Sequence, residues 1–290
     1  MKYALFLGCT VPVRALNYEL AARKVGEKLG LEFLDIPEFS CCGFPVKSVD
    51  RMTFMLMAAE NLSLAEEANL DICTLCSACS SVLTEVDKQL KENRALPSRI
   101  NEDLSVTNRK YHGKIHVKHF VRILHEDVGL AKIKEMVKRP LSEFNFTAHY
   151  GCHYLKPSEV YGKFDEPENP RTLDELIRVT GAQSIPYEDK NECCGGGVLG
   201  VEEATALKIA ALKLDHIKAS GADALVLICP FCNIMYEGNQ KKIEKQSETE
   251  FNLPVLYYPQ VLGLALGIPP DELGFRMNRV KPREILSRLG

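Results

Sequence analysis

Five cysteines recur twice in the same order along this 290-residue chain. Each set opens on a cysteine that ends an apolar run, YALFLGC to Cys9 and FTAHYGC to Cys152. Each continues with an adjacent pair followed by glycine, Cys41-Cys42-Gly43 and Cys193-Cys194-Gly195, and closes on a C-x-x-C, Cys76 with Cys79 and Cys229 with Cys232. The spacings are C-x31-CC-x33-C-x2-C and C-x40-CC-x34-C-x2-C. With Cys73 the total is eleven, an odd number that rules out complete internal disulfide pairing. Cysteines clustered in this way point to metal in a reducing compartment, so the expected location is the cytoplasm. The opening segment MKYALFLGCTVPVR lacks the long apolar stretch and cleavage site of a secretory signal and reads as a first strand. No segment approaches the ~20 apolar residues of a membrane helix. A net charge of −3 gives no reason to expect nucleic-acid binding.

The segments between the cysteines repeat as well. After Asp50, Met52, Met55, Leu56, Ala59 and Leu62 share one helical face; in the second half Leu207, Ala210, Ala211, Leu214 and Ile217 do the same. The second helix is expected to open at Glu202 and Glu203 and stop near Gly221. LDICTL and ALVLI read as the buried strands that follow, and HVKHF and VLYY as later ones. Strands alternating with helices predict an α/β fold of two homologous Rossmann-like halves with parallel sheets, related by a pseudo-two-fold axis. The join is expected near Arg139-Pro140-Leu141, giving domains 1–140 and 141–290, with a loop or excursion around residues 101–114 of the first half. Each cysteine group falls at a strand's C-terminal end or in a strand-to-helix turn, where open α/β sheets place ligands.

A tetrahedral zinc site needs four thiolates, as does an ordinary four-iron cubane. Five per half exceeds both. Neighbouring side chains of an extended segment point to opposite faces. Cys41 and Cys42 therefore meet one site only at a sharp turn, which the following glycine permits. A centre with several irons can use both sulfurs, and the count favours such a polynuclear centre over zinc.

This pattern resembles the CCG domain, present twice. FLGCTVPVR, SCCGFP, ECCGGG and CPFCN together resemble the B-subunit family of heterodisulfide reductase from methanogenic archaea, over nearly the whole chain. The CCG pattern also occurs in subunits linked to glycolate, lactate, glycerol 3-phosphate and succinate oxidation. The resemblance implies a catalytic subunit that reduces the coenzyme M–coenzyme B heterodisulfide (CoM-S-S-CoB) to two thiols. It implies two noncubane 4Fe-4S clusters near the interface of the halves. Cys9, Cys41, Cys42, Cys76 and Cys79 would hold one, and Cys152, Cys193, Cys194, Cys229 and Cys232 the other. Zinc in the N-terminal half is the lesser alternative. Implied partners are the C and A subunits of heterodisulfide reductase, with a hydrogenase or formate dehydrogenase supplying electrons indirectly.

Aligning LDICTLC with ALVLIC sets Cys76 opposite Cys229 and leaves Cys73 inside a strand as a buried free thiol. His153 is the candidate proton donor to a departing thiolate; a histidine hydrogen-bonded in a turn is the competing reading. His112, His116, His119 and His125 read as surface histidines, with His116, Lys118 and Phe120 on one strand face. Arg14, Lys47 and Lys156 follow cysteine turns, where a sulfonate- and phosphate-bearing substrate calls for basic groups, though solvated surface positions explain them equally. Met52, Met55 and Met57 fit a packed helix face. Two rival functions stand beside the reductase: an electron-relay CCG subunit of a hydroxyacid dehydrogenase or quinone-linked complex, and a structural zinc protein.

Overall fold

A computed structural model describes residues 1–93, 95–162 and 164–289. Gly290, the last residue of the second expected domain, lies outside them. The first half builds a sheet from β1 (Lys2–Phe6), β2 (Glu32–Leu34), β3 (Ile72–Thr74) and β4 (Val117–His119). The second builds another from β5 (Asn145–His149), β6 (Gln183–Ser184), β7 (Ala224–Leu227) and β8 (Val255–Tyr257). Both sheets are entirely parallel, in the order β2-β1-β3-β4 and β6-β5-β7-β8. Ile72–Thr74 and Ala224–Leu227 are wholly buried, as strands covered on both faces should be. In each sheet the chain steps outward from its first strand and then returns to that strand's other side. The crevice beyond the strand ends opens at that reversal, between β1 and β3 and between β5 and β7.

Helix boundaries follow local chemistry. Asp50 caps the helix Arg51–Glu67 by accepting from the amides of Met52 (2.9 Å) and Thr53 (3.0 Å). Glu202 caps Glu203–Ala219 by accepting from Thr205 N at 2.8 Å. Met55 is buried in the first of these helices, with Met52 and Met57 half-buried beside it. Among the described residues no helix is long and apolar enough to cross a membrane.

Two expectations need correction. Residues 101–114 are not simply a loop: Leu96–Leu104 is helical, because Ile100 and Leu104, one turn apart, are both buried. A 3-10 turn follows at Ser105–Thr107, and the irregular remainder is pinned by Asn101, whose amide bonds the backbone of Tyr111 at 2.8 and 3.1 Å. Nor do the four histidines all lie on the surface. His112 and His116 are exposed and His125 is half-buried against Glu175 at 2.8 Å, but His119 is fully buried. Phe120 is buried too, in the short helix that follows β4 rather than on a strand face with His116.

His119 belongs to the junction of the halves. Burial pushes its imidazole down to about 4, so it is neutral. Its Nδ1 accepts from Val121 N at 3.2 Å, and its Nε2–H donates to the carbonyl of Ile228 at 3.1 Å. The Tyr18 hydroxyl donates to that same carbonyl at 3.0 Å, while the Tyr18 ring stacks on Tyr257 at 4.1 Å between centroids. The packing is reciprocal. Tyr258–Ala265, after β8, lies on Leu16–Leu29 of the first half, and Leu130–Met136, after β4, lies on Thr172–Val179 of the second.

Two donors on one buried carbonyl predict non-additive losses. Tyr18→Phe and His119→Phe should each lower stability by about 1 kcal/mol, since the other donor still satisfies Ile228. The double variant should exceed the sum by about 1 kcal/mol, because the carbonyl is then buried without a partner. Anaerobic thermal unfolding of the four proteins measures this, and simple additivity would contradict it.

Candidate metal centre

Cys9 and Cys76 follow β1 and β3, and Cys152 and Cys229 follow β5 and β7, so both openings place two cysteines at the reversal point. The adjacent pairs arrive on loops after β2 and β6. Gly43 and Gly195 have φ of +91° and +81°, and a Cβ there would stand 3.0 Å from Phe54 O and 2.9 Å from Ala206 O. Glycine thus lets each pair turn tightly against its helix. The turn also aims amides at sulfur: Gly43 N at Cys41 Sγ (3.5 Å), Gly195 N at Cys193 Sγ (3.4 Å) and Gly196 N at Cys194 Sγ (3.4 Å).

The thiols form a nearly continuous chain. The Cys42 side chain neighbours those of Cys41 and Cys79, Cys79 neighbours Cys76, and Cys76 neighbours Cys229 of the other half. From Cys229 the contacts run through Cys232 and Cys194 to Cys193 and Cys152. The neighbouring thiols of Cys41 and Cys79 pull the Cys42 thiol well below its usual range, and those of Cys152 and Cys194 do the same to Cys193. The same interactions, together with burial, push Cys41, Cys79 and Cys152 up. Cys9 is exposed and within electrostatic reach of Cys41. Cys73 lies within β3, its thiol raised by burial alone, with no sulfur contributing.

All five second-half cysteines line one cavity of about 110 Å³. Phe44, Ser77 and Ala78 close it from the first half; His153 and Phe231 close it from the second. The His153 ring packs edge-on against Phe44 at 4.9 Å, and burial lowers its pKa. Five soft donors around one small cavity fit a polynuclear metal–sulfur centre, and metal binding would displace the thiol protons.

The basic residues fare differently. Lys47 is ion-paired with Glu85 and lies over the Phe54 ring at 5.5 Å. Lys156 is exposed and paired with Glu168 at 3.4 Å. Arg14 lines a separate open cleft with Lys242 and Arg279, sharing no lining residue with the cysteine cavity. Sequence reasoning missed His149 and Lys213. Both are buried, and a ring nitrogen of His149 lies within 4.8 Å of the sulfurs of Cys194 and Cys232. The signal was a lone histidine inside the apolar run FTAHYGC.

The family model for the cysteine-rich CCG domain matches this chain twice, over residues 3–84 and 146–237. The chain is 36% identical to the B subunit of the ferredoxin/F(420)H(2)-dependent CoB-CoM heterodisulfide reductase of Methanosarcina acetivorans, covering 99% of this chain and 97% of that one. It is 32% identical to the 8-methylmenaquinol:fumarate reductase membrane anchor subunit of Wolinella succinogenes, over 96% of each. A crystal structure of a hypothetical protein from Helicobacter pylori shares the fold, with a TM-score of 0.79 at 18% identity over 97% of this chain and 52% of that one.

The sulfur geometry makes Cys73 and Cys76 separable. Cys73→Ser should retain the parental iron content while losing about 1–3 kcal/mol of stability, because its hydroxyl is buried in a strand. Cys76→Ser should lose most of the iron of the first set. Iron analysis of anaerobically purified variants decides; the reverse pattern would mean that the other C-x-x-C is the ligand pair.

Proposed function

The chain belongs to the B-subunit family of heterodisulfide reductase and carries that family's cysteine-rich CCG domain twice, and we propose that it is the catalytic subunit that reduces CoM-S-S-CoB to two thiols. In this reading Cys9, Cys41, Cys42, Cys76 and Cys79 hold one noncubane 4Fe-4S cluster, and Cys152, Cys193, Cys194, Cys229 and Cys232 the other. The observation that carries it is the cavity lined by all five second-half cysteines, which Ser77 and Ala78 of the Cys76–Cys79 turn close from the first half, so that the two sulfur sets lie side by side. Two centres that close can act on one bond.

Cleaving a disulfide to two thiols takes two electrons and two protons, and the bound clusters would supply the electrons one each. The chain's own residues do the rest. Phe44 and Phe231, 6.3 Å apart between centroids, form an apolar wall beside the second sulfur set. His153 stands on the same wall. It follows Cys152 directly and lines the cavity, which makes it the candidate to pass a proton to a departing thiolate. Electrons would arrive through the C and A subunits, drawn from a hydrogenase or formate dehydrogenase.

An electron-relay role is the second reading, favoured by the full-length similarity to a subunit named for fumarate reduction. The two part on one assay. Anaerobically prepared protein should carry about eight irons and reduce CoM-S-S-CoB with a reduced viologen dye; a relay subunit would hold iron and leave the heterodisulfide intact. Replacing Cys41 and Cys42 by Ser, or Cys193 and Cys194 by Ser, should each abolish turnover rather than halve it, since both centres act as a unit. A variant that retains one cluster and a substantial fraction of the rate would refute joint action.

A further inference from the structure

The halves correspond closely around their sulfurs, yet two matched positions differ in chemistry. Phe6 ends β1 three residues before Cys9; His149 ends β5 three residues before Cys152. Asn61 stands nineteen residues after Cys42, and Lys213 nineteen after Cys194. Asn61 and Lys213 share one task, holding the loop that carries the cysteine pair. Asn61 accepts from Ser40 N at 2.9 Å and donates to Cys41 O at 3.2 Å; Lys213 donates to Glu192 O at 2.7 Å. Lys213 does something more, because its Nζ also lies 3.4 Å from Nδ1 of His149.

Lys213 is 2% exposed and His149 1%. A lysine head group normally only donates, so Nδ1 of His149 has to accept, and the ring proton then resides on Nε2. Nε2 is buried without a hydrogen-bond partner. A ring nitrogen of His149 lies within 4.8 Å of the sulfurs of Cys194 and Cys232, and with Nδ1 occupied by Lys213 the free N–H donor of the ring is Nε2. A nitrogen that bears a proton has no lone pair for iron. The edge-on Tyr236 ring, 5.0 Å away, holds the imidazole in place.

We propose that His149, its tautomer set by Lys213, is a positioning residue that donates an N–H···S hydrogen bond to Cys194 and Cys232 and gives the second cluster a higher reduction potential than the first. Hydrogen bonds to cluster sulfurs stabilise the more negative, reduced state. The first half presents a hydrocarbon ring and a neutral amide at the matched positions, so its cluster lacks this stabilisation. Electrons entering the subunit would settle on the second centre. The inference rests on the reading that each sulfur set holds a cluster.

The test is an anaerobic redox titration of the holoprotein followed by electron paramagnetic resonance, with iron counted in every sample. His149→Phe and Lys213→Asn install the first half's residues. His149→Phe should keep the parental iron and move one of two midpoints negative by at least about 59 mV, a tenfold change for a one-electron couple. The other midpoint should stay put. Lys213→Asn should shift the same midpoint less, and His149→Gln, which keeps an N–H donor, should recover part of the loss. With 15N-histidine label, the parent should show a weak nitrogen coupling that His149→Phe abolishes. Unmoved midpoints at full iron content would overturn the proposal, as would a strong coupling typical of a direct ligand or loss of iron from both His149 variants. A parent with no iron on the second set would instead overturn the cluster assignment beneath it.

Discussion

Thiols that must gather at one point repel one another as soon as they ionise, and everything in this fold serves to hold them together regardless. Interactions with neighbouring thiols pull the pKa values of Cys42, Cys193 and Cys229 down, while the same interactions and burial push those of Cys76, Cys79 and Cys232 up. Loop flexibility alone would let such a group spread apart. Here the sulfurs emerge from parallel strand ends and from glycine turns backed against helices, so backbone packing opposes the repulsion.

The second requirement is that the two groups face one another. Each half could bury its own strands, but neither alone sets the distance between sulfur sets. That distance depends on reciprocal exchange: a helix that follows the last strand of each half lies on the other half. Tyr18 and His119 both bind the carbonyl of Ile228, the residue just before Cys229. The polar lock of the interface therefore sits one peptide from the thiol that contacts Cys76, coupling the packing of the halves to the register of the sulfurs.

Near-symmetry makes the departures from it informative. Phe44 stands where the second half has Gly196, and it reaches across to wall the second cavity beside His153. Phe6 and Asn61 stand where the second half has His149 and Lys213. Each difference changes the surroundings of the second sulfur set: Phe44 walls its cavity from the other half, and His149 and Lys213 place buried polar groups beside it. A duplicated scaffold thereby offers two different environments.

Much of this was legible in sequence because it is local. The cysteine order, the glycine after each pair, the caps at Asp50 and Glu202 and the alternation of strand and helix depend on neighbours within a few turns of chain. The repeat itself supplied an internal alignment, which put Cys73 inside a strand and Cys76 at its end. What the sequence could not determine was which surfaces the other half would cover. His119 sits in a run whose pattern suits a solvent-facing strand, yet it is buried because residues more than a hundred positions away supply its carbonyl partner. Lys47 follows a cysteine turn and still points to Glu85. His149 reads as one polar residue in an apolar strand until the helix carrying Lys213 packs beside it. Pattern and spacing act along the chain, whereas burial and hydrogen-bond partnership at these positions are set by segments that meet only when the two halves close on each other.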